Sequence, residues 1–153
     1  MKYHSANDVL KAHWDGKLPV NPAAIARDMG ITVKAQQDLG YCGLYRFNDG
    51  APEIIYSPEA YVPRLRFTVA HELGHHVNGD LHAPRDDSST FSSAASSPIE
   101  VAANQFAAAL LMPADVVRYL VRDKGMRDLG GLADKFGVSP AAMRFRLKNL
   151  GLI

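Results

Sequence analysis

Apolar and polar positions repeat with two different periods along the chain, and the change of period orders the elements. Ser5-Ala6-Asn7-Asp8 has the form of a capping box that opens a short helix ended by Gly16. Asn21-Pro22 sets an N-cap residue before a proline at the first helical position, and Gly30 suits the residue after that helix. Ile31 to Gln36, Gly43 to Phe47 and Glu53 to Tyr56 read as strands, with a turn signal at Asn48-Asp49-Gly50 between the last two. These predict a small antiparallel sheet. From Pro63 the period lengthens. Leu65, Val69, Leu73 and Val77 recur every four residues as a buried helical stripe, and Gly79 is placed to end it. His71 and His75 then fall off the stripe, toward a cleft.

The pattern lapses between Pro84 and Pro98, where six of fifteen residues are serine and Asp86 and Asp87 add charge. Such a stretch predicts a loop, read either as a surface linker or as a flap beside the cleft. Ser97-Pro98-Ile99-Glu100 opens the next helix, whose buried side is Val101, Phe106, Leu110 and Leu111 and which Pro113 breaks. A helix from Pro113 to about Arg122 follows. The last thirty residues read as two short helices around Gly137-Val138-Ser139.

Composition adds bounds. A chain of 153 residues with 47% hydrophobic and 22% charged residues suits one globular domain. The net charge of +1 excludes a uniformly basic nucleic-acid binder, yet from Lys124 onward six Lys/Arg face two acids. Cys42 is the single cysteine, so no internal disulfide forms, in keeping with a reducing cytoplasm. It reads as a small buried residue rather than a nucleophile. The start of the chain lacks an apolar signal core, and the longest apolar run, Phe106 to Pro113, is too short for a membrane span. Location in the cytoplasm, with no membrane partner, is the expectation.

The chemistry concentrates in His71-Glu72-Leu73-Gly74-His75. Histidines four apart on a helix stand one above the other and can reach one ion, and the intervening glutamate can serve as general base toward a water. A catalytic zinc site needs a third protein ligand. His82 is one candidate, but Gly79 and His82 each come one residue later than the HExxHxxGxxH pattern requires. Glu100 is the other, with Asn104 one turn on and placed to hydrogen-bond a ligand histidine. Spacing leaves Glu100 balanced between metal ligand and capping-box partner of Ser97. Tyr56, Tyr61, His82 and Arg64 are the candidates for stabilising an oxyanion, and spacing does not choose among them.

The run from Arg64 to His75 resembles the core motif of the ImmA/IrrE family of metallopeptidases, and Glu100 to Pro113 resembles that family's second motif. Leu132-Ala133, Phe136 to Ser139 and Arg146 to Ile153 also resemble family members. The resemblance implies an α+β, zincin-like fold with a small antiparallel sheet, an HExxH helix, a second ligand helix and C-terminal helix-turn-helix-like helices. It implies zinc on His71, His75 and Glu100, with Glu72 as catalytic base and Asn104 in the outer shell. Manganese or iron would also accept two imidazoles and a carboxylate. The serine-rich loop departs from the resemblance. The implied substrate is a helix-turn-helix repressor of the Xre/CI type, or an antitoxin, cut to relieve repression.

The expected division is a metallopeptidase core over residues 1–123 and a helix-turn-helix-like segment over 124–153 packed on it. Arg144 and Lys148 share one face of the last helix and could meet phosphates, but Arg144 to Lys148 holds no base-reading Asn or Gln. DNA contact is therefore not the favoured reading. The rival from another class is a non-catalytic module, associated with DNA or a repressor, with a structural metal. Glu72 discriminates, since a structural site needs no base there.

Overall fold

The protein, described from a computed structural model over residues 3, 5–80 and 97–153, has α1 (Ala6–His13), α2 (Pro22–Asp28), β1 (Thr32–Ala35), β2 (Gly43–Asn48), β3 (Ala51–Tyr56), α3 (Val62–Asn78), α4 (Pro98–Leu111), α5 (Ala114–Arg118), α6 (Leu129–Phe136) and α7 (Pro140–Asn149). A π-helical stretch, Tyr119–Asp123, continues α5. The fold is α+β. Caps act where the sequence places them at Ser5, Asn21 and Ser97, and Asp128 and Ser139 cap α6 and α7 in the same way: each side chain accepts from a backbone N–H of the helix it opens. No helix among the described residues is long and apolar enough to cross a membrane. The 84–96 part of the serine-rich segment, and His82 with it, lies outside the described residues.

The three strands run in the order β1-β3-β2. β2 and β3 form the expected antiparallel hairpin, closed by Asp49 and Gly50 at φ 52° and 77°, the positive pair a tight hairpin turn requires. The expectation of a wholly antiparallel sheet is corrected at β1, which pairs parallel to β3, Val33 opposite Ile54. Burial explains the order. Glu53, Ile54 and Ile55 are consecutive buried residues, the mark of a strand covered on both faces, so β3 takes the centre. β1 buries Val33 alone and takes an edge. Glu53 is tolerated at 3% exposure because Lys34 and Arg46 reach it from the flanking strands at 2.7 and 2.9 Å.

β2 is the other edge. Pro52 opposite Phe47 has no N–H, so that pair cannot be hydrogen-bonded, and alternation puts Leu44, Arg46 and Asn48 in the bonded positions. The bond from Ser57 N to Cys42 O (2.9 Å) fits this phase. The backbone N–H and C=O groups of Gly43, Tyr45 and Phe47 therefore point away from β3.

α3 crosses beneath the sheet. Phe67 to His75 is buried without a break, so the helix has no solvated face along its middle. Two glycines set its neighbours' distance. A Cβ on Gly43 would collide with Thr68 Cγ2 and come 3.6 Å from Glu72 Cγ, so β2 lies directly on α3. A Cβ on Gly74 would sit 3.2 Å from Ala103 Cα and 3.1 Å from Phe106 Cδ1, so α4 crosses α3 backbone to backbone.

The C-terminal helices share the same core: Leu132, Phe136, Met143 and Leu147 join the cluster that holds Val69 and Leu73. Two arginines tie them down. Arg66 of α3 donates to the carbonyls of Val20, Phe136 and Gly137, and Arg146 of α7 donates to Met112 O (3.0 Å) just after α4. Arg144 and Lys148 stay exposed, while Arg146 between them is turned inward.

Candidate metal centre

His71, Glu72 and His75 lie in the buried middle of α3, at 2%, 0% and 0% exposure. One ligand atom from each falls within 4.8 Å of the others. The imidazoles stand 4.8 Å apart, perpendicular, as i and i+4 residues of a helix must. The close α3–α4 crossing at Gly74 brings Glu100 and Asn104 over them. Glu100 Oε1 is 2.9 Å from His75 Nε2 and Oε2 is 3.2 Å from His71 Nε2.

The outer ring nitrogens are both engaged. His71 Nδ1 lies 2.8 Å from Asn104 Oδ1, and His75 Nδ1 lies 3.0 Å from Asp80 Oδ2. An oxygen acceptor at Nδ1 puts the hydrogen there and leaves a lone pair on Nε2. Both lone pairs then face the Glu100 carboxylate, that of His75 toward Oε1 at 2.9 Å and that of His71 toward Oε2 at 3.2 Å, and His71 Nε2, His75 Nε2 and Glu100 Oε1 make no hydrogen bond. Three buried electron-rich atoms meeting in this way repel one another unless a cation lies between them. Their spacing suits one: tetrahedral ligands at about 2.0–2.1 Å from zinc stand about 3.3 Å apart.

The arrangement thus joins all five residues expected from the sequence: His71, Glu72, His75, Glu100 and Asn104. Ser97 caps α4 without Glu100: its hydroxyl accepts from Ile99 and Glu100 N–H groups, which leaves the carboxylate turned to the histidines. Of the oxyanion candidates, Tyr61 is 64% exposed, ten residues and about 15 Å of helix before His71. Arg64 is buried, its guanidinium 5.8 Å from the Phe67 ring centroid. His76 points elsewhere: Tyr45 OH donates to its Nδ1 at 2.8 Å, and burial lowers the His76 pKa and pushes the tyrosine up to about 12.

Two contributors escape sequence reasoning. Asp80 follows Gly79, and a carboxylate immediately after a helix-ending glycine is the signal that could have found it. Gly43 reaches Glu72 only through the sheet, and nothing local to position 43 announces that.

The family model described as Peptidase_M78, IrrE N-terminal-like domain, matches residues 26–148. Among curated proteins, none matches the chain.

Proposed function

The chain belongs to the IrrE N-terminal-like family of metallopeptidases, zincin-like in fold, and from that premise we propose that it is a zinc-dependent endopeptidase whose substrate is a helix-turn-helix repressor or antitoxin. In this reading His71, His75 and Glu100 hold the ion and Glu72 is the base. The observation that carries it is the convergence of two Nε2 lone pairs and the Glu100 carboxylate on one buried point beside Glu72. Two imidazoles and one carboxylate are a donor set that zinc accepts, and manganese accepts it as well.

A divalent cation held there supplies Lewis acidity, bringing the pKa of a water to about 7 and polarising the scissile carbonyl. The rest is the work of the chain. Asn104 and Asp80 keep the imidazole rings turned. Glu72 accepts the proton of the attacking water on its carboxylate and returns it to the amine nitrogen as the peptide C–N bond breaks. The outward N–H and C=O groups of Gly43, Tyr45 and Phe47 bind an extended substrate backbone as an added strand, and Gly43 brings that strand beside Glu72. An edge of this kind reads main chain, so it suits a flexible segment of a folded partner.

Co-expression with the repressor-like product of a neighbouring gene tests the proposal. Wild type should cut the partner into two fragments, and Glu72→Gln should leave it intact. A partner uncut by wild type removes that substrate, and undiminished cutting by Glu72→Gln removes Glu72 as base.

A further inference from the structure

α3 ends on Gly79, left-handed at φ 79°, and this conformation turns the chain back on itself. The N–H of Gly79 returns to His76 O at 3.2 Å and that of Asp80 to His75 O at 2.8 Å. The reversal delivers the Asp80 carboxylate, 17% exposed, to the ring of His75 in the preceding turn. We propose that Asp80 is the positioning residue of the metal centre, fixing which nitrogen of His75 carries the hydrogen and so keeping the centre open to a cation. The inference rests on the metal-centre reading above.

A carboxylate is acceptor only, so in the neutral ring the hydrogen of His75 goes to Nδ1, which donates to Asp80, and Nε2 keeps a lone pair. The amide of Asn104 constrains His71 less, because its NH₂ can turn to the ring in place of the oxygen that faces it here. At 0% exposure His75 has no solvent to replace a lost acceptor. Remove Asp80 and the favoured tautomer reverses. The hydrogen moves to Nε2, where Glu100 Oε1 stands 2.9 Å away to accept it. The pair would then satisfy itself, and an ion would have to break that bond to enter. Asp80 thus opposes collapse of the centre onto its own hydrogen bond.

The test compares wild type, Asp80→Ala and Asp80→Asn. The readouts are Zn(II) and Co(II) affinity by chelator competition, and the His75 tautomer in metal-free protein from long-range ¹H–¹⁵N correlations. Wild type should carry hydrogen on Nδ1. Asp80→Ala should carry it on Nε2 and bind both ions about 10- to 100-fold more weakly. Asp80→Asn can turn an acceptor oxygen to Nδ1 in nearly the same volume, though less strictly than a carboxylate, and should recover part of the affinity. It also serves if the alanine variant does not fold. Unchanged tautomer and affinity in Asp80→Ala overturn the proposal, as does an asparagine variant no better than alanine. A wild type that binds neither ion overturns the metal-centre reading instead, and the tautomer in metal-free protein still decides the role of Asp80.

Discussion

Glu72 and Glu100 are the same residue type, and their different surroundings fit the separate tasks proposed for them. Glu100 is partly exposed and spans both Nε2 atoms, as the ligand role proposed for it requires. Glu72 is fully buried and follows His71 by one position on the same helix, with a carboxylate oxygen within 4.8 Å of a ligand atom of each histidine. Replacing each should therefore fail differently. Glu100→Ala should lose most bound metal, by elemental analysis after desalting. Glu72→Gln should retain about one ion per chain while peptide hydrolysis falls about a thousandfold. Metal retained in Glu100→Ala would shift the third ligand to another residue. The three helix residues were legible from spacing alone, because an i, i+4 pair is a local fact. Glu100 was not: its spacing fits a capping box equally well, and only resemblance tipped the choice. What brings Glu100 to the histidines is the α3–α4 crossing at Gly74, a tertiary fact that a linear pattern does not carry.

At the scale of elements, the strands were legible but their order was not. A small antiparallel sheet was expected, whereas β1 pairs parallel to β3, whose doubly buried run takes the centre. That order leaves β2 as an edge, and its outward N–H groups can be tested singly. Phe47→Pro removes an N–H that β3 does not use, so the ladder should survive with little change in Tm. For an extended peptide bound along β2, kcat/KM should fall up to about tenfold, the worth of one backbone hydrogen bond. Phe47→Ala, which keeps the N–H, should fall less. Equal losses would place the substrate off this edge. The same sheet carries a pH dependence through Glu53. Its bond from Lys34, then that from Arg46, holds the carboxyl below its ordinary range against the pull of burial. A carboxylate with a depressed folded-state pKa contributes stability above the ordinary range and loses it as pH falls through the folded value. Glu53→Gln should therefore be less stable than wild type by about 2 kcal/mol at pH 7 in urea unfolding, and the two curves should converge in acid. A constant gap across pH would mean the carboxylate's charge does not matter there.

Across the whole molecule, the metal-facing residues and the structural ties use the same two helices. α3 carries the histidines on one side and Arg66 on another, where it holds the end of α6. α4 carries Glu100 near its start, and Arg146 of α7 holds the carbonyl of Met112 just past its end. The inward turn of Arg146 also leaves the last helix with Arg144 and Lys148 as its exposed cations, a thin footprint for phosphate contact. Because the candidate ligands come from both α3 and α4, an ion between them would bind only the folded arrangement, and its affinity would add to stability by mass action. Metal at about a hundred times its Kd contributes about 2.7 kcal/mol. For a protein of this size that raises Tm by roughly 5–10 °C. Calorimetry with and without a chelator should show this shift in wild type and Glu72→Gln alike, and little of it in Glu100→Ala. A chelator-insensitive wild type would mean that α3 and α4 hold their crossing by packing at Gly74 alone. The buried Nε2 lone pairs would then have to be relieved by another route, with a hydrogen on one of them shared with Glu100.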